Sequence, residues 1–154
     1  MIGDRRNLLL VAIGIVALVV AISLLVASSP RPTEGGFIFR TKQSNYIIGD
    51  TVEFYFTNAR SDQVTLGNPA PWSIWRQTVD QWVLVYFPLA PQILWPVRPG
   101  ETLNWTWIAE NRTEQPTRIP VEAGEYRIHL FVGIDAEGIG MDLLAYFTLR
   151  ERAP

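Results

Sequence analysis

Residues 126–132 read YRIHLFV, and the spacing within them decides the fold. Tyr126, Ile128, Leu130 and Val132 fall at every second position, with Arg127, His129 and Phe131 between them. Successive side chains of an extended backbone point to opposite faces, so this period of two predicts a strand with one face turned to a core. The same period recurs outward in both directions. Leu143, Ala145, Phe147 and Leu149 repeat it toward the C-terminus. On the other side Leu103, Trp105 and Trp107 alternate with Thr102, Asn104 and Thr106. Val52, Phe54 and Phe56 alternate likewise with Thr51, Glu53, Tyr55 and Thr57. Parity therefore predicts Trp105 and Trp107 buried, and Asn104 and Thr106 exposed. The runs are rich in β-branched and aromatic residues, which suit a pleated, half-buried surface.

Turn signals separate these runs: YIIGD (46–50), NARSD (58–62), RPGE (98–101), EAGE (122–125) and DAEGIG (135–140). WSIWRQ (72–77) and QWVLVYF (81–87) read as a hairpin joined across residues 78–80. With FIFR at 37–40, the chain is expected to form about seven or eight strands in an all-β, antiparallel sandwich. No stretch beyond residue 36 keeps helical spacing. Six Trp, seven Phe and five Tyr supply the bulky inner faces that such a core needs.

YIIGDTVEFYF (46–56), Asn58, the Trp82 hairpin, RPG (98–100) and AGEYR (123–127) together resemble prokaryotic immunoglobulin-like domains. The pattern is shared by bacterial Ig-like cell-surface modules and by the intracellular proteinase inhibitor family of Bacillus type. The resemblance covers about residues 37–150 and implies an Ig-like sandwich. It also implies that Tyr126 is a tyrosine corner, its hydroxyl bonded to nearby backbone. Antibody domains carry a disulfide cysteine two residues later, where this chain has Ile128, so apolar packing must replace the bridge. A shared scaffold does not carry function, and proteinase inhibition stands only as an alternative.

Ahead of the strands lies a different kind of sequence. Residues 8–27 are twenty uncharged, almost wholly apolar residues, which as a helix span about 30 Å, the thickness of a bilayer core. Arg5 and Arg6 precede them, so the positive-inside bias puts residues 1–7 in the cytoplasm and the C-terminal domain outside. The expectation is one N-terminal transmembrane helix acting as an uncleaved anchor in membrane lipid. A cleaved signal peptide, giving a secreted protein, is the alternative, although its apolar stretch normally spans about 7–15 residues. SSPRPTEGG (28–36) reads as a linker, leaving residues 37–154 as the sandwich domain.

Composition removes several function classes. The chain has 154 residues and a formal net charge of −2, which gives no electrostatic case for nucleic acid. With no Cys it has no disulfide, thiolate metal site or thiol nucleophile, and with one His it has no site that needs two. No cofactor and no metal are expected. His129 would need an orienting carboxylate and a nucleophile to act as a base, and nothing local suggests either. Asp135, Glu137 and Asp142 sit in or beside one loop, but three carboxylates are too few for a calcium cage. Asn104 and Asn111 each open a glycosylation sequon.

The most unusual stretch is YFPLAPQILWPV (86–97), apolar and holding three prolines. It cannot be a central strand, because proline lacks the ladder donor, and it is too apolar for an ordinary connection. The expectation is that it plugs one end of the sandwich. The alternative is that Leu94 and Trp95 face outward as an interaction surface for a protein or glycan partner or for lipid. No catalytic set emerges, so the sequence points to a membrane-anchored, externally displayed binding or structural module rather than an enzyme.

Overall fold

Ten strands and no helix make up the described residues, 35–111, 119–134 and 139–153, of the computed structural model. They are β1 (Phe37–Thr41), β2 (Asn45–Ile47), β3 (Thr51–Asn58), β4 (Val64–Leu66) and β5 (Trp72–Gln77). After these come β6 (Trp82–Tyr86), β7 (Trp95–Val97), β8 (Thr102–Ile108), β9 (Gly124–Ile134) and β10 (Ile139–Arg150). Each run that alternates in sequence is a strand here. Three short strands are additional: β2 lies in what reads as a turn, and β4 and β7 lie in what reads as connection. The expected membrane span, 8–27, and most of the linker lie outside the described residues. Among the described residues no helix is long and apolar enough to cross a membrane.

Two sheets pack face to face in a sandwich-like arrangement. The first has the order β1-β3-β8. The second is built on the long β9–β10 hairpin, paired from Ile139↔Ile134 to Leu149↔Gly124. The other edge of β9 carries β5 from Trp72↔Leu130 to Arg76↔Tyr126, and β6 closes that side as the predicted hairpin. Nearer the far end of β9, Thr65 of β4 pairs with Gly133, and β7 pairs with β4. The pairing is not wholly antiparallel, as the sequence suggested: β2 runs parallel to β10. The chain leaves the first sheet after β1 and joins the second at β2. Tyr46 pins the crossing, its hydroxyl donating to the Glu53 carbonyl of β3 (3.2 Å) while its ring meets Phe147 of β10 edge-on.

The alternating residues supply the core. Val52, Phe54, Phe56, Tyr126, Ile128, Leu130, Val132, Leu143, Phe147 and Leu149 are all buried. Phe54 sits at its centre, with ring contacts to Phe39, Trp72 and Trp105. The parity of β8 is as expected, Asn104 and Thr106 being exposed and Trp107 buried. Trp105, however, is only partly buried. The reason is its place in the sheet: β8 has β3 on one side and forms the sheet edge on the other. The Trp105 indole N–H reaches the Pro69 carbonyl at 3.0 Å, so its polar end is satisfied at that edge.

Tyr126 makes the bonds that the resemblance implied. Its hydroxyl donates to the Glu122 carbonyl (2.7 Å) and accepts from the Glu122 N–H (3.1 Å). Burial pushes its phenol above the ordinary tyrosine range, so the hydroxyl keeps the proton it donates.

Candidate interaction surface

Proline sets the course of the chain after β6. Pro88 and Pro91 lack the N–H that would continue a ladder beyond Tyr86, so the backbone leaves the sheet and runs as a strap to β7. Pro96 is tolerated within β7 because that strand pairs with β4 alone, at the sheet edge. The strap does not plug the sandwich. Leu89 is 86% exposed, Ile93 57%, Leu94 72% and Trp95 42%, whereas Val97 is fully buried. The core closes without these residues, because the two sheets already fill the space between them with the aromatic side chains of β3, β5, β8 and β9. Between the strap and residues 67–73 lies an open cleft of about 680 Å3, with Phe87, Leu89 and Phe131 on its walls.

One buried polar side chain holds the far end of the strap. Asn58 is fully buried at the end of β3. Its Nδ2 donates to the carbonyls of Val97 (3.1 Å) and Asp62 (2.8 Å), and its Oδ1 accepts the Arg60 N–H (3.1 Å). Its own backbone bonds the Gly100 N–H and the Glu101 carbonyl. Gly100 takes a φ of 76°, which the tight RPGE turn requires and a residue with a Cβ would resist. Arg60 completes the cluster through Asp62 (2.8 Å), and its side-chain hydrogen bond holds that carboxyl below the usual range. The sequence reading noted Asn58 only as part of a pattern. Its role depends on Val97, 39 residues away, which no local signal reveals.

The remaining candidates separate clearly. His129 does have a carboxylate partner, contrary to the sequence reading: Nε2 lies 2.6 Å from Asp142 Oδ1 on the neighbouring strand. Ser73 stands opposite His129 in the β5–β9 register, but its hydroxyl accepts the Trp75 indole N–H (2.8 Å). The His129–Asp142 pair therefore ties β9 to β10 on the outer face of the sheet. Asp135 and Glu137 lie outside the described residues, and among the described residues no group of three acidic or imidazole side chains could hold a metal. Asn104 is exposed on β8. Asn111 is exposed too, yet its amide is engaged: Oδ1 accepts the Val121 N–H (2.6 Å) and Nδ2 donates to the Val121 carbonyl (3.4 Å).

A second cluster escaped the sequence reading altogether. On the outer face of the second sheet, the Arg127 guanidinium lies over the Trp82 ring at 4.4 Å and near Trp75 at 5.7 Å. Tyr146 packs against Trp82 with 6.0 Å between ring centroids. The four residues come from four strands, so only the register unites them.

No family model matches the chain, and no curated protein matches it. Among solved structures it is similar to the Pseudomonas fluorescens alkylpurine DNA glycosylase AlkC bound to DNA containing an abasic site analog. Identity there is 12% with a TM-score of 0.45, over 84% of this chain and 33% of that one. It is also similar to Spo0M, a sporulation control protein from Bacillus subtilis, at 9% identity and TM-score 0.41, over 74% of this chain and 48% of that one. A third is the ASH / PapD-like domain 7 of human CEP192, at 12% identity and TM-score 0.35, over 82% and 92% of the two chains. The chain thus spans about a third of the first and about half of the second.

Proposed function

We propose that the protein is a membrane-anchored, externally displayed module with an Ig-like sandwich, and that it acts by contact rather than by catalysis. The Ig-like reading is supported by strand order and by two aromatic residues. On this reading the orders β1-β3-β8 and β6-β5-β9-β10 would correspond to strands A-B-E and C′-C-F-G of that fold. Trp72 is buried on β5 against Phe54, and Tyr126 bonds backbone four residues upstream at the start of β9. The anchor reading rests on the uncharged block at 8–27.

The observation that carries the contact function is the strap. Soluble surfaces seldom expose Leu89, Ile93, Leu94 and Trp95 together without a use for them. Prolines 88, 91 and 96 restrict the backbone in advance, which lowers the ordering entropy that a contact must overcome. Leu94 and Trp95 are its centre. The same exposed segment favours one second reading, a proteinase inhibitor that offers the strap to an active-site cleft. Inhibition of a protease panel by the purified protein would favour that reading, and its absence would remove it.

Two measurements test the anchored reading. After carbonate washing the full chain should stay in the membrane fraction and begin at Met1 or Ile2. A tag after Pro154 should be digested by protease added to intact cells. Recovery in the carbonate supernatant, a mature N-terminus near Ser29, or a protected tag would each contradict it.

A further inference from the structure

We infer that the strap's partner is the lipid–water interface of the membrane crossed by residues 8–27, so that the sandwich lies against the bilayer through Leu89, Ile93, Leu94 and Trp95. This rests on the anchored reading above, and three observations carry it.

The first is position. The chain enters the sandwich at Gly35, whose carbonyl accepts from Arg60 Nη1 (3.2 Å), and Phe37 pairs with Asn58. Asn58 in turn bonds the carbonyl of Val97, the last residue of β7. The point where the chain enters and the point where the strap closes are therefore at one end of the sandwich. Phe131 and Ile139, exposed by 50% and 54%, flank the β9–β10 turn at that end. The β5–β6 turn, with Val79 98% exposed, is at the other.

The second is reach. Nine residues, 28–36, separate the apolar block from the sandwich. Fully extended at about 3.3–3.6 Å each, they cover about 30 Å. That length is the most that can separate the apolar block from the strap's end of the sandwich.

The third is chemistry. No residue from 86 to 97 is charged, and its most exposed large side chains, Leu89, Ile93, Leu94 and Trp95, are of the types that settle at a bilayer interface, with Phe87 and the polar Gln92 exposed beside them. Irregular backbone near hydrocarbon is costly because its N–H groups lose water. Pro88, Pro91 and Pro96 have no N–H to lose, and the Ile93 N–H is bonded to the Pro91 carbonyl at 2.9 Å.

The chain has no Cys, so single cysteines report cleanly. Leu94→Cys and Val79→Cys variants of the full chain would each carry an environment-sensitive fluorophore, in phosphatidylcholine vesicles with and without spin-labelled lipid. The label at position 94 is expected to shift to shorter wavelength and to be quenched severalfold by the spin-labelled lipid. The label at 79 should show neither effect. Carbonate extraction of the same vesicles reports the anchor separately. A carbonate-resistant protein whose label at 94 stays unquenched overturns the lipid contact alone and leaves a protein as the strap's partner. Loss of carbonate resistance overturns the anchored reading and this inference with it.

Discussion

Phe54→Ala is expected to lower folding stability by about 3–5 kcal/mol, the range for deleting a large buried aromatic. Phe54 is 1% exposed, and with Trp107 it is one of the residues through which the two sheets meet. Its ring lies 5.0 Å from Trp72 of the second sheet, edge to face, and 6.4 Å from Phe39 of β1. Truncation opens a cavity between rigid rings, and rings bridging two sheets cannot collapse into it without shifting a strand. Trp105→Ala should cost less than half as much, because Trp105 is partly solvated at the sheet edge. Denaturant unfolding of the full chain in detergent, followed by tryptophan emission, reads both values. Equal costs would mean that the β8 edge is covered.

The second large effect is expected at Asn58. Asn58→Leu keeps the volume but removes three hydrogen bonds, leaving the Arg60 N–H and the Val97 and Asp62 carbonyls without their partner. A buried group left unsatisfied costs about 1–3 kcal/mol, and partial opening of the loop to water would hold the total near 3 kcal/mol. The damage should be local first. β7 is held by three paired residues on β4 and by this clamp, so hydrogen exchange should accelerate at residues 95–101 before the β9–β10 hairpin responds. A cost below about 1 kcal/mol would show that water or another donor replaces the amide.

The fold was legible where one face of a strand turns consistently toward the core. β3, β8, β9 and β10 alternate strictly, and the period of two marks them without tertiary information. The short strands were not legible. β2, β4 and β7 have three residues each, too few to show a period, and their pairing is set by neighbours distant in sequence. Trp105 shows a further limit: parity says which face a residue takes but not whether its strand lies at an edge. The strap was legible as an anomaly but not in direction. Its apolar composition fits either a plug or an exposed contact, and the choice depends on how completely the two sheets fill the core. Side-chain clusters were invisible for the same reason. His129 meets Asp142, and Arg127 meets Trp82 and Trp75, only through the register of adjacent strands.

The central claim is that the strap is a surface offered to a partner and not a part of the core. Replacing Leu94 with Ser and Trp95 with Gln in one full-length variant, and following its thermal unfolding, tests this directly. Because Leu94 is 72% exposed and Trp95 42%, the expected loss is about 1 kcal/mol or less, a shift in melting temperature of no more than about 8 °C. A fall of more than about 15 °C would mean that the two side chains hold the sandwich together, and would contradict the account.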